Sequence, residues 1–286
     1  MIKIGLATWT DHPYLSEQHK PKITLPEYTD FFPIVEVDSP FYAIPKVEWV
    51  QKWVSDVPDD FQFIVKANSK MTKTPMRNQL ELSDEELEKL FVRFKEAFQQ
   101  MIDTGKLASF LFQFPPSFAC NQTNIQYLRQ IRQWMGKLPL SIEFRNSSWV
   151  GPEIGKDAAD FLSSLKMTEV VVDEPHQLYN GVPFTPVITN RNFVYLRLHG
   201  QNEAAWAKET RERYRYRYSK LELERIAKVA VELSQSADEV AIIFNNNTGK
   251  AAAKNAIQLQ EILHLKGNQQ AAMKKLAGTL SKISAE

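Results

Sequence analysis

Charged and amide residues recur at every second position in short stretches that are otherwise apolar. Glu36 and Asp38 share one parity in such a stretch, as do Gln62, Ile64, Lys66 and Asn68 in another. Glu143 and Arg145 do so in a third, and Tyr195, Arg197 and His199 in a fourth. Gln113, Asp173, Asn245 and Asn246 stand near the ends of further stretches of the same kind. A carboxylate beside a guanidinium stays ionised, whereas one among apolar neighbours rises toward neutral pH. That split separates a base from an acid. Glu143 and Asp38 are the acid–base candidates, and His199 is the natural proton shuttle.

Other chemistries compete for the same residues. Asp38, Glu143, Asp173 and His199 offer an oxygen-rich set suited to magnesium or manganese. No local ligand spacing accompanies them, and Lys66, Arg145 and Arg197 would repel a cation, so neither a metal nor a cofactor is expected. Lys66 as a Schiff-base nucleophile needs a depressed pKa, which the nearby acids oppose. The bland alternative is a set of self-satisfied ion pairs, Glu143 with Arg197 or Asp38 with Arg145.

Anion binding draws on more of the chain. Residues Lys208 to Tyr218 interleave basic side chains with tyrosines, and Asn246-Asn247-Thr248-Gly249-Lys250 leads into a helix. Lys70, Lys73 and Arg77 add cations after the third stretch. Loops joined to helix N-termini are where barrel proteins often hold phosphate. Thr248-Gly249-Lys250 is not a P-loop, since the upstream glycine is absent. The arginines can instead pair with Glu209, Glu212 and Glu222 as an ordinary solvated loop. Tyrosines between arginines also offer stacking surface. Trp9, Trp149 and Trp206 suit a sugar platform, while Trp49, Trp53 and Trp134 fall in helices and read as packing. The binding set expected on these grounds is Lys66, Gln113, Arg145, Trp149, Asp173, Arg197, Arg215, Tyr216, Asn245 and Asn246.

Eight β-prone runs must position these groups. They are Lys3 to Thr8, Ile34 to Phe41, Phe61 to Asn68, Ser109 to Phe114, Leu140 to Arg145, Glu169 to Asp173, Phe193 to His199 and Glu239 to Asn245. Helical stretches alternate with them, which predicts a closed parallel (β/α)₈ barrel of the TIM type in the α/β class. Ser83 to Glu86 and Ser219 to Glu222 are capping boxes, and Gly105 marks a helix end. Leu223, Ile226, Val229, Ala230 and Leu233 paint one helix face apolar. Pro45 precedes a helix over Val47 to Val54, and Gly249 opens one running through Leu263. Pro175 to Asn190 holds three prolines and no helical period, so the sixth helix is degraded. An extra helix is expected over 269–283, giving a barrel domain over 1–266 and a helical extension over 267–286. Parallel strands under helices are normally apolar on both faces, so the polar parity must face inward at the C-terminal mouth.

Composition excludes several classes. The 286 residues are 43% hydrophobic, 24% charged and 11% aromatic, too apolar for disorder. Lys plus Arg number 35 against 34 Asp plus Glu, so no whole-molecule attraction to DNA or an anionic membrane follows. The single cysteine, Cys120, excludes an internal disulfide framework. Only 10 glycines argue against a glycine-rich sandwich or repeat array. With no leader-like start and no long apolar run, the chain reads as cytoplasmic, with no membrane partner.

Six segments stand out in order along the chain, beginning with Val35-Glu36-Val37-Asp38-Ser39-Pro40-Phe41-Tyr42, Phe63-Ile64-Val65-Lys66-Ala67 and Leu111-Phe112-Gln113-Phe114-Pro115-Pro116. Ile142-Glu143-Phe144-Arg145 with Ser148-Trp149, Tyr195-Leu196-Arg197-Leu198-His199-Gly200 and Phe244-Asn245-Asn246 complete them. In these segments the chain resembles the YecE-like barrel family, domain of unknown function family 72. The resemblance spans about residues 1–260 and implies a TIM-type barrel without supplying a reaction. Asp38 stands where the family usually has an amide, and Thr72-Lys73 where a Thr-His pair is common.

The first expectation for function is an enzyme acting by hydrolysis or proton transfer on a small anionic or polyhydroxylated substrate, with Arg145, Arg197 and Lys66 as clamps. The alternative is a nucleic-acid or nucleotide-binding barrel without turnover, using the loop over 208–220. A purely structural scaffold leaves so polar a mouth unexplained, and the oligomeric state is not readable.

Overall fold

Every β-prone run becomes a strand, and the eight close on themselves. In the computed structural model these are β1 (Ile2–Ala7), β2 (Ile34–Val37), β3 (Gln62–Lys66), β4 (Leu107–Gln113), β5 (Leu140–Glu143), β6 (Met167–Asp173), β7 (Val194–Leu198) and β8 (Val240–Phe244). All neighbours pair in parallel in chain order, and β8 returns to β1. The residues described are 1–16, 22–76, 82–151, 154–176, 181–206, 208, 210–248 and 250–265. Arg77, Glu209, Gly249, the helix expected over 269–283 and the boundary after 266 lie outside them.

Helices fill the connections: α1 (Leu25–Thr29), α2 (Val47–Ser55), α3 (Asp84–Ala97), α4 (Gln99–Asp103), α5 (Gln122–Met135), α6 (Gly155–Ser164), α7 (Glu203–Trp206), α8 (Lys220–Ser234) and α9 (Ala252–Ile262). Both expected capping boxes form, Ser83 with Glu86 and Ser219 with Glu222. Gly105 ends the α3–α4 connection at φ +69°, a left-handed turn that a glycine takes without a Cβ clash. Helix α8 buries Leu223, Ile226, Ala227, Ala230 and Leu233, the face its spacing marks out. Between β6 and β7 none of the described residues is helical, as three prolines in that connection require.

Parity divides the core in two. Ile4, Leu6, Val35, Val37, Phe110, Phe112, Leu196 and Leu198 pack outward under the helices. Ile34, Ile64, Leu111, Val170, Val172, Tyr195 and Ile243 fill the barrel interior. Register carries the inward set around the ring, with Glu36 beside Ile64, Gln113 beside Glu143, and Val172 beside Arg197 beside Ile243. The apolar layer seals the lower barrel, and the polar layer above it forms the C-terminal mouth. Gln62 lies at the opposite end, taking a 2.6 Å hydrogen bond from Lys3.

Candidate active site in the barrel mouth

Arg197 is the centre of the polar layer. Its Nε and Nη2 donate to the two Glu36 oxygens at 2.9 and 2.6 Å, and Nη1 donates to Gln113 Oε1 at 2.7 Å and Glu143 Oε2 at 2.9 Å. The Tyr195 hydroxyl donates to Glu36 from below. Arg197, Glu36 and Glu143 are fully buried. A charge so placed survives only when every polar atom is matched, and here each is.

Arg145 builds the second half. Its Nε donates to Glu143 Oε1 at 2.7 Å, Nη1 to Glu174, and Nη2 reaches His199 Nε2 at 2.9 Å. A guanidinium only donates, so His199 Nε2 carries a lone pair towards it. The Asn245 carboxamide faces the other ring nitrogen, Nδ1, at 3.1 Å. Burial and the Arg145 charge hold the His199 imidazole neutral, well below its usual titration range. Glu143, Glu174 and His199 bring one donor atom each within 4.8 Å of one another, a set able to hold a metal ion. The Arg145 guanidinium contacts all three residues and occupies the cation's role itself.

The acids divide as environment dictates. Burial acts against Glu143, but Arg197, Arg145 and His199 hold its carboxyl well below the usual range. Burial wins at Glu36, pushing it up to about 7 despite Arg197, and at Glu174, pushing it up to about 8 despite Arg145. Two carboxyls that titrate near neutrality therefore stand beside one that does not.

Asp38 and Lys66 differ from this packed set. Their side chains remain 24% and 12% exposed, and Lys66 Nζ lies 3.8 Å from Asp38 Oδ1, beyond hydrogen-bond reach. Arg197 Nη2 is 3.7 Å from the same oxygen. Asp38 Oδ1 is buried and accepts no hydrogen bond. Burial raises the Asp38 carboxyl, but Lys66 and Arg197 together bring it below its usual range. Lys66 sits over the Phe41 ring at 4.7 Å, and Asp38 stops β2 where a 3₁₀ turn begins at Ser39-Pro40. Nearby, Thr8 leaves β1 at φ +63°, held by Glu36 O at 2.8 Å from its N and by His12 Nε2 at 3.1 Å from its O. A β-branched residue in the left-handed region stores strain, and such strain clusters at functional sites.

Several expected residues lie elsewhere. Asp173 takes the outward parity beside Leu198 and binds the Tyr218 hydroxyl and Gln201 Nε2, so Glu174 holds the inward place on this strand end. Trp149 is buried in a stack with Phe144, ring centres 4.3 Å apart, with its Nε1 donating to Phe118 O, and offers no platform. Arg215 pairs with Glu212 on the surface. Tyr216 packs on Gly200, where a Cβ would lie 2.3 Å from its own Cβ, and bonds Glu222. Asn246 points behind the sheet to Tyr216 O and Asn255. Lys73 turns to the Tyr127 ring at 4.1 Å. Asp38 meets Lys66 and Arg197 rather than Arg145. Trp49, read as packing, is 57% exposed, whereas Trp9 meets Trp53 edge-on at 5.5 Å.

From the basic loop it is Arg213 and Tyr214 that reach the mouth. Trp206 is fully buried between Arg145 at 5.1 Å and Arg213 at 5.5 Å, and both Trp206 and Tyr214 lie 5.9 Å from His199. These rings cover the β5–β8 side, leaving Asp38, Lys66 and Gln113 on the accessible side. Glu174 and Tyr214 were not singled out as site residues, and Trp206, expected as a sugar platform, is instead fully buried. Counting parity one residue past Asp173 finds Glu174; nothing local identifies which arginine or tyrosine of the loop turns inward.

The model of the family described as protein of unknown function DUF72 matches residues 3–278. The chain belongs to the DUF72 family. UPF0759 protein YunF of Bacillus subtilis (strain 168) is 39% identical over 276 residues, covering 93% of this chain and 95% of that protein. A crystal structure of a DUF72 family protein from Enterococcus faecalis V583 aligns at a TM-score of 0.87 with 38% identity, over 93% of this chain and 97% of its own. Another, from Thermotoga maritima MSB8, aligns at 0.77 with 29% identity, over 93% and 100%. These DUF72 relatives carry the same barrel over nearly the whole chain. No helix among the described residues is long and apolar enough to cross a membrane.

Proposed function

We propose that the chain is an enzyme acting by proton transfer or hydrolysis on a small anionic or polyhydroxylated substrate in the C-terminal mouth. The observation that carries this reading is the loosely matched Asp38–Lys66 pair, 3.8 Å apart with side chains 24% and 12% exposed and Asp38 Oδ1 left without a hydrogen bond, above a closely paired ion network. Natural cores match their charges; a mismatch on the face where barrel enzymes work marks the place for a ligand.

In this reading Asp38, ionised and with one oxygen unpartnered, is the base that meets substrate, and Lys66 neutralises the developing charge. Glu143 engages both oxygens and stays ionised, so it orients Arg145, Arg197 and His199. Glu36 and Glu174, buried against the guanidiniums, hold Arg197 and Arg145 in place. His199, neutral and beside Trp206, accepts from Arg145 through Nε2 and is held at Nδ1 by Asn245, so it positions the guanidinium in this reading.

The test is incubation of the purified protein with sugars, glycosides and sugar phosphates in D₂O, followed by proton NMR for solvent exchange or bond cleavage. Turnover lost in Asp38→Asn and in Lys66→Met, both folded, supports the reading. Turnover that survives both substitutions rejects it. The nucleic-acid alternative draws less support, because Arg215 and Tyr216 are already engaged by Glu212 and Glu222.

A further inference from the structure

We infer that the substrate of the mouth carries an acid group, a carboxylate or a phosphate, and that Arg213 receives it beside Arg145 and Tyr214. This rests on the mouth being the substrate site, as proposed above, and adds to it a charge and an anchoring residue.

Arg213 is a mouth cation without a counter-charge. Glu36 is taken by Arg197, Glu143 by Arg197 and Arg145, and Glu174 by Arg145, while Asp38 stands between Lys66 and Arg197. None of these acids pairs with Arg213, and its Nε is buried with no hydrogen-bond partner. Its two terminal nitrogens make no hydrogen bond with a described residue either. Unlike Nε they are not shut away, so they can be reached.

Rings hold Arg213 where an acid would otherwise do so. Its guanidinium lies 4.9 Å from the Tyr214 ring centre and 5.5 Å from that of Trp206, which is fully buried. Stacking uses the face of the guanidinium and leaves the N–H groups, which lie in its plane, free to donate.

Further donors adjoin it. Arg145 lies 5.1 Å from the same Trp206 ring. A guanidinium has five N–H groups, and Arg145 commits one each to Glu143, Glu174 and His199, so Nη1 and Nη2 each keep one uncommitted. The Tyr214 hydroxyl is within electrostatic reach of Arg145 and makes no hydrogen bond with a described residue.

An oxyanion supplies what this corner lacks. It brings the missing negative charge and enough lone pairs to accept from two guanidiniums and a hydroxyl. A neutral hydroxyl would leave Arg213 uncompensated. One acid group on a small molecule suffices, because Arg215, two residues on, is already paired with Glu212. The rest of the molecule can then extend across the mouth toward Lys66.

The experiment is calorimetry and thermal denaturation of the full chain with matched probes: ribose 5-phosphate against ribose, and glucuronate against glucose. A ligand that binds only the folded state raises the melting temperature. The expected result is one-to-one binding of an acid probe, about tenfold or more tighter than its neutral parent and weakening as salt is added. Which acid binds separates phosphate from carboxylate. Arg213→Met, checked for folding by circular dichroism, should weaken the acid probe about tenfold or more. Arg215→Met, which loses only a surface pair, should stay within about twofold of wild type. An acid probe no tighter than its neutral parent overturns the inference, as does absence of binding by both acids. Acid binding that survives Arg213→Met but is lost in Lys66→Met overturns the inference and leaves the mouth as the site. Acid binding that survives both variants overturns the mouth reading, and this inference with it.

Discussion

Arg197 grips Glu36 through two parallel hydrogen bonds, Nε to Oε2 at 2.9 Å and Nη2 to Oε1 at 2.6 Å, across the barrel from β7 to β2. Neither side chain is exposed. Such a pair fixes the height and direction of every charge above it, because Arg197 also carries Glu143 and Gln113. Removing one partner strands a buried charge, which costs about 3–5 kcal/mol. Arg197→Met should lower the unfolding free energy in urea by about that amount. A loss below about 1 kcal/mol would show that the network is not what holds the mouth together.

Arg145 stands among three metal-competent donors, and replacing it should convert the site. The wild-type protein is expected to show no stoichiometric site for magnesium, manganese or zinc by calorimetry. Folded Arg145→Ala should gain one, through Glu143, Glu174 and His199. If the variant binds none of the three, the guanidinium is not taking a cation's part there.

Stability should fall as pH rises from about 6.5 to 8. Glu36 and Glu169 titrate at about 7 in the folded chain and Glu174 at about 8, each raised from 4.5 mainly by burial. Between 4.5 and these values the folded state holds protons that the unfolded state has lost, so raising pH favours unfolding. Burial lowers His12 to about 4 and holds His199 well below 6.5, so below pH 6.5 the histidines act in the opposite direction. Above pH 6.5 they drop out, and each held proton contributes a slope of up to about 1.4 kcal/mol per pH unit. Glu174→Gln should flatten the slope between pH 6.5 and 8. An unchanged slope would place the proton elsewhere.

The strands, their order, the lack of a helix among the described residues between β6 and β7, and the inward parity of Glu36, Lys66, Glu143 and Arg197 were all legible, because alternation within a strand is local. Asp173 was misjudged for a physical reason. Strand β6 is apolar on both faces, so Val170, Val171 and Val172 carry no alternation to extend into Asp173-Glu174. Only the register against Arg197 settles which acid turns inward.

The Arg/Tyr run fails differently. Its alternation is regular, but it forms a short 3₁₀ turn at Arg211–Tyr214 and then an irregular segment. Packing on Trp206 selects Arg213 and Tyr214, while Gly200 selects Tyr216, and neither contact has a sequence signature. Trp149 was drawn into a ring stack by Phe144 and Phe118, which come from two different strand ends.

Oligonucleotide binding at physiological salt should be weak. If the loop tracked a phosphate backbone, log affinity would fall with log salt by nearly one power per phosphate contacted. Replacing Arg213, Arg215 and Arg217 by alanine should change little. Submicromolar binding abolished by that triple change would defeat the small-ligand reading.

The central claim is that the mouth divides into a saturated scaffold and an open pair reserved for a ligand. Urea denaturation of Asp38→Asn beside Glu143→Gln tests this without knowledge of any substrate. Glu143→Gln leaves Arg145 and Arg197 short of a buried counter-charge and should cost about 3–5 kcal/mol. Asp38→Asn removes a charge that is loosely matched and part exposed, and the unfolding free energy should stay within about 1 kcal/mol of wild type or rise. Equal, large losses in both variants would contradict the claim, placing Asp38 in the scaffold with the rest.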